Sequence, residues 1–143
     1  MDSAAFLANV HGSAPASVPS DARAVEALYS TGYMLLERAR VADAAHAFRV
    51  MLRAAPRDER AWLALGACHE RIDQLNIALE LYGMATVAAA PAVRCQLARA
   101  RLLRVRGSDD QADDALDEAA EGAATLDDSA LIELVASERR RAS

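Results

Sequence analysis

Residues 62–66, Trp-Leu-Ala-Leu-Gly, followed by Ala78 and Tyr82, decide the fold. Shifted back by 34 residues, Trp62, Leu65, Gly66, Ala78 and Tyr82 fall on Leu28, Thr31, Gly32, Ala44 and Phe48. Shifted forward by 34, they fall on Gln96, Arg99, Ala100, Ala112 and Leu116. A period of this size marks stacked helical units, none of which can bury its apolar face alone. The small residues Gly32, Gly66 and Ala100 allow the two helices of a unit to approach closely, facing Ala44, Ala78 and Ala112. Phe48, Tyr82 and Leu116 then fill the space toward the next helix. Pro56 ends a helix because it has no N–H to continue the ladder.

This is a tetratricopeptide pattern, strongest in its second unit, and it predicts an all-α protein. Three repeats are expected at about 25–58, 59–92 and 93–126, stacked as a short right-handed solenoid and closed by a capping helix at about 126–139. The helix pairs are read at 22–38 with 42–55, 58–71 with 75–88, and 92–106 with 109–122. Ser108 and Gln111 fit a capping box after the Gly107 turn. In the closing helix Leu126, Ala130, Leu131, Leu134 and Val135 share one apolar face. Residues 1–21, rich in Ala, Ser, Gly and Pro and interrupted by Pro15 and Pro19, read as a flexible arm before a domain of residues 22–141.

Composition narrows the function. The chain of 143 residues has a net charge of -5 and a pI near 5.2, which opposes nucleic-acid binding. Its longest apolar stretch, near Val87 to Val93, is broken by Pro91 and far shorter than the ~20 residues a membrane span needs. No basic residue precedes Arg23, so a secretory leader is not expected and the location is read as cytoplasmic. Cys68 and Cys95 lack metal or redox spacing and read as reduced, partly buried thiols. His11, His46 and His69 show no ligand spacing, and His69 suits a packed position between helices. Paired acids such as Asp109-Asp110 and Asp127-Asp128 lack a calcium loop and suit solvated helix starts. With no phosphate loop and no activated nucleophile, neither an enzyme nor a cofactor is expected.

What remains is surface. The first helix of each pair lines the concave face, so Glu26, Tyr29, Ser30, Tyr33 and Leu36 come first, then Arg60, Leu63, Ala64, Ala67 and Arg71, then Arg94, Leu97, Ala98 and Arg101. An apolar trough edged by arginines suits an extended peptide held by a few anchors. Charge is segregated in the third unit: Arg94, Arg99, Arg101, Arg104 and Arg106 crowd one helix, and residues 108–128 carry nine acids and no base. Weak pairing between neighbouring solvated faces accounts for this, and so would an arginine-lined groove end for an acidic peptide segment.

Leu28-Tyr29-Ser30, Tyr33, Ala44 with Phe48, Leu65-Gly66-Ala67-Cys68, Ala78 with Tyr82, and Leu103 with Gly107 resemble the class II chaperones of bacterial type III secretion systems. The resemblance covers about residues 25–122. It implies a cytoplasmic protein that holds a hydrophobic translocator soluble before export by gripping an extended segment of it. By position it makes Tyr29, Tyr33 and Leu63 the anchors and Leu36, Ala67 and Leu97 the supporting wall. It further implies dimerisation through the N-terminal region and, in some members, binding of a transcriptional activator after the cargo has left. A chaperone for a needle or filament subunit of the same system, and a generic scaffold or adaptor, are the alternatives. A carboxylate-clamp adaptor is disfavoured because Tyr29, Tyr33, Ala64 and Ala98 occupy the clamp positions.

Phe6, Leu7 and Val10 have no other evident place to be buried, which points to a homodimer through residues 1–30. Deleting residues 1–20 is expected to convert a dimer to a monomer, measured as mass in solution at roughly tens of micromolar. A monomeric full-length chain at that concentration would overturn the expectation.

Overall fold

The computed structural model describes residues 21–143, so the N-terminal arm and its apolar residues lie outside the described residues. Seven helices and no strand are present among them: α1 Ala22–Glu37, α2 Val41–Ala54, α3 Glu59–Arg71, α4 Leu75–Ala88, α5 Val93–Val105, α6 Asp109–Leu126 and α7 Ser129–Ala142. The protein is all-α, and each helix packs mainly on its chain neighbours, with α3 also meeting α5 and α5 meeting α7. No helix among the described residues is long and apolar enough to cross a membrane.

Helix ends follow from local chemistry. The Asp21 carboxylate accepts from Ala24 N at 2.7 Å, Asp58 from Arg60 N at 3.1 Å, and Asp128 from Ala130 N and Leu131 N at 3.0 and 3.2 Å. The turns inside the helix pairs repeat with the sequence period. Ala39, Asp73 and Gly107 all have positive φ, at 61°, 61° and 78°. Each is followed by a residue whose N–H reaches back five positions: Arg40 to the Leu35 carbonyl, Gln74 to His69 and Ser108 to Leu103, at 2.9, 2.8 and 2.8 Å. These are Schellman closures, and only the third uses the glycine that a left-handed residue favours.

The core is organised by two close approaches. A Cβ placed on Gly32 would lie 2.3 Å from the Phe48 ring, and one on Gly66 would lie 2.2 Å from the Tyr82 ring. The rings themselves therefore lie on the bare glycine backbone, which corrects the expectation that the aromatics point onward to the next helix. Ala44 and Ala78 are fully buried beside these crossings. The third pair carries Ala100 with Ala112 and Leu116, all buried, because without an aromatic ring a methyl is tolerated there. The Trp62 indole donates to the Pro56 carbonyl at 2.8 Å, tying α3 to the end of the preceding turn.

Around the third helix pair the structure departs from the sequence reading. Helix α6 continues to Leu126, because Gly122 and Ala123 pack against the connection before α5; a Cβ on Gly122 would meet Pro91 at 2.9 Å and Val93 at 3.1 Å. Consequently α7 starts at Ser129, Leu126 and Ala130 are exposed, and Val135 carries the buried contact, with Leu131 and Leu134 half-buried. Ser108 is the N-cap of α6 but makes no side-chain cap bond, so no capping box forms. Its ψ of 63° is outside the extended region that aims a cap hydroxyl at the helix, and Asp109 and Asp110 meet the helix dipole instead. At α5, where Ala92 offers no side-chain cap, Glu59 of α3 accepts from Cys95 N at 3.0 Å. In the 34-residue register Glu59 matches the buried valines Val25 and Val93, so the second unit gives up an apolar contact to cap the third. Burial pushes the Glu59 carboxyl above its ordinary range.

Two glycines one turn of logic apart test this packing. Gly66→Ala drives a methyl into the Tyr82 ring and is expected to cost about 1–3 kcal/mol. Gly83→Ala, in the middle of α4 with nothing within 4 Å of the new methyl, is expected to gain roughly 0.5–1 kcal/mol from helix propensity. Chemical denaturation of the two variants measures both signs.

A candidate peptide-binding groove

The first helices of the pairs, α1, α3 and α5, bring most of the sequence-predicted residues together. Tyr33, Leu36, Leu63, Ala67 and Arg101 bound one cavity of about 260 Å³, shared with Glu70. Leu63, Arg94, Leu97 and Arg101 bound the next, of about 290 Å³, closed by Leu134 and Glu138 of α7. Leu36 and Leu97 are buried, Tyr33, Leu63 and Ala67 are half-buried, and Arg94 and Arg101 are exposed. Two residues depart from expectation. Tyr29 lines neither cavity, and Ala64 is wholly buried in the core, because its position on α3 turns toward the α2 and α3 packing.

Tyr29 belongs to a stack that begins in the core. The Phe48 ring that covers Gly32 lies 5.4 Å from the Tyr33 ring, and Tyr33 lies 4.9 Å from Tyr29 in an edge-to-face contact. The Arg60 guanidinium sits 4.6 Å above Tyr29, a cation–π contact. Burial pushes the Tyr33 hydroxyl up to about 12, with Tyr29 beside it adding to the shift. Tyr33 is thus a wall of the groove and a core residue at once.

The groove arginines are engaged. Arg60 donates to Glu26 at 2.6 and 3.2 Å and to Asp58 at 2.8 and 3.1 Å, linking α1 to the start of α3. Arg101 of α5 donates twice to Glu70 of α3, at 3.0 and 2.9 Å, and the Tyr82 hydroxyl donates to the same carboxylate at 2.5 Å. Glu70 therefore joins three helices in the groove wall, with its side chain 18% exposed. The sequence reading passed over Glu70, although it occupies the register of Leu36 shifted by 34 residues. Leu134 and Glu138 carried no such signal, because α7 lies outside the repeat.

The acidic helix α6 pairs with its neighbours: Arg104 reaches Asp109 and Asp113 at 3.8 and 2.9 Å, Arg139 reaches Asp117 at 2.6 Å, and Glu118 accepts from Gln96. Cys68 and Cys95 are free thiols, both buried, with burial holding each above its ordinary range. His69 is buried, with Nδ1 2.7 Å from Gln74 Oε1, the packed role its position suggests. Among the described residues no group of three or more His, Cys, Asp or Glu could hold a metal ion.

The Arg60 cluster has a defined pH signature. Hydrogen bonds from Arg60 hold the Asp58 and Glu26 carboxyls below their ordinary range. Folded values below unfolded ones give stability that is present above the ordinary carboxylate range and lost as pH falls through the lowered folded values. Arg60→Gln is expected to lower the thermal midpoint at pH 7 and to have a smaller effect at pH 3, and melting curves at both pH values measure the difference.

Comparison with known proteins places this groove in a recognised fold. No family model matches the sequence, and no curated protein matches it. Among solved structures, the type III secretion translocator chaperone SycD of Yersinia enterocolitica is similar at 26% identity with a TM-score of 0.68, covering 79% of this chain and 85% of SycD. SycD in complex with a peptide of the translocator YopD is similar at 23% identity and a TM-score of 0.63, covering 83% of this chain and 97% of that one. An alternative dimer of SycD matches at 23% identity and a TM-score of 0.64, with 83% and 96% coverage. The resemblance carried by Leu28-Tyr29-Ser30 and Leu65-Gly66-Ala67-Cys68 is borne out in three dimensions: the chain shares the tetratricopeptide-like helical fold of the type III secretion translocator chaperones.

Proposed function

We propose that this protein is a cytoplasmic, non-enzymatic chaperone of a type III secretion system that binds an extended segment of a translocator in its groove, keeping it soluble and export-competent. The observation that carries the reading is the cavity whose apolar wall is formed by Tyr33, Leu36, Leu63 and Ala67, in a fold shared with SycD, a translocator chaperone that has been solved with a translocator peptide. Arg94, Leu97 and Arg101 extend the site toward α7, while Tyr29 and Arg60 stiffen its opposite end.

The physics suits holding and release. Each leucine-sized side chain entering such a cavity contributes about 1.5–3 kcal/mol. Two or three of them give roughly 3–9 kcal/mol before the cost of ordering an extended segment, and 1 μM corresponds to about 8 kcal/mol, so the affinity is micromolar or weaker. A site of that strength masks apolar cargo yet surrenders it to an export machine. The groove is also preformed, since Phe48 supports Tyr33 and the Glu70–Arg101 pair spans α3 and α5, so little ordering falls on the chaperone. A homodimer through residues 1–30 is part of the proposal, and SycD provides a dimeric precedent. A transcriptional activator is not part of the proposal.

Ala67→Leu fills the cavity without removing a core contact, and Leu63→Ala removes an anchor from the same wall. Each is expected to weaken binding of a translocator of the host's type III secretion system at least about tenfold, with helicity retained. Calorimetric titration of its soluble segments, with circular dichroism as the folding control, tests this. Unchanged affinity in both folded variants would move the binding site away from the groove.

A further inference from the structure

Beyond the two cavities that hold the proposed anchors, the groove continues into a third of about 350 Å³, bordered by α5, α6 and α7. Its inner wall is apolar, formed by Leu97, Ala100 and Leu116. Its rim is cationic, formed by Arg101, Arg104 and Arg141, with Glu138 as the one carboxylate. Taken together the three cavities are lined by five arginines, Arg71, Arg94, Arg101, Arg104 and Arg141, against Glu70 and Glu138, a local balance of 5 − 2 = +3 on a chain whose net charge is -5. The residues lining the groove are thus net positive on a chain that is net acidic.

The positive charge is unevenly committed along the groove. At the α1–α3 end Arg101 is held by the largely buried Glu70, which Tyr82 fixes from below, and Arg71 reaches only the Leu36 carbonyl, at 3.5 Å, among the described residues. At the α7 end Arg141 is 76% exposed, and its ion-pair partner among the described residues is Glu138, at 3.4 Å. Arg104 pairs with Asp109 and Asp113, both on α6, outside the cavity lining and well exposed. Exposed pairs of this kind contribute little and exchange readily, whereas a carboxylate entering a half-dry cavity between guanidinium groups gains charge-assisted hydrogen bonds.

We infer that the α7 end of the groove is an anion-accepting subsite, which takes a cargo segment carrying an apolar side chain beside an aspartate or glutamate and so sets the direction in which the peptide lies. The inference rests on the groove reading above and adds to it the chemistry and polarity of the cargo. It gives α7 a function as well as a closing role, since Arg141 and Glu138 belong to that helix.

A random twelve-residue peptide library displayed on phage, selected on the immobilised full chain, tests this without a known cargo. Acidic residues are expected to be enriched next to an apolar position, and replacing the acid by its amide in a synthesised winner should weaken binding on the order of tenfold. Arg104→Gln with Arg141→Gln should lose the acidic enrichment and keep the apolar one. If that pair disturbs folding, Arg141→Gln alone, on an exposed side chain, carries the comparison. Absence of acidic enrichment on the wild type, or its persistence on the folded arginine variants, overturns the subsite. Winners that bind Ala67→Leu as well as the wild type would instead count against the groove reading itself.

Discussion

The close approach of two paired helices is the constraint on which the rest of the structure depends. In the first two pairs an aromatic ring of the second helix lies on a glycine of the first, Phe48 on Gly32 and Tyr82 on Gly66. Any side chain at the glycine would enter the ring, so the helix pair can keep its separation only while position 32 or 66 stays bare. Burying a ring against backbone also removes a large apolar area from water, which a chain with only 4% aromatic residues must place with economy.

The same rings connect the core to the surface. Phe48 supports Tyr33, which supports Tyr29, and Arg60 closes the stack from above. Tyr82 passes its hydroxyl through to Glu70, which in turn fixes Arg101. Packing and recognition therefore share residues. A tyrosine such as Tyr33 cannot be removed as a pure binding anchor, because it also touches the ring that covers Gly32. Residues such as Ala67, which border the cavity without supporting the stack, separate the two roles.

The third pair follows different rules. It replaces glycine and aromatic by Ala100 and Leu116, and it gains its order from tertiary devices instead. Glu59 caps α5 from α3, Gly122 lets α6 run close beneath Pro91, and α7 closes the apolar side with Val135. Its arginines and acids, segregated in sequence, meet across α5, α6 and α7 as exposed pairs that leave the groove side net positive.

The helical architecture was legible from the sequence because it depends on a short-range period: 34 residues, small residues at fixed turns, and apolar faces that repeat. That register also located Tyr33, Leu36, Leu63, Ala67, Leu97 and Arg101, whose side chains gather around two adjoining cavities. Tertiary structure alone decided the rest. Whether an arginine is spent on a neighbour, as Arg60 is on Glu26 and Asp58, depends on distances between helices that no period encodes. Ala64 fell into the core and Glu70 into the groove because one residue of helix rotation, about 100°, separates a wall from a floor. The contribution of α7 was invisible for a simpler reason: it lies outside the repeat, and its place is set only by the apolar side of α5 and α6 that remained to be covered.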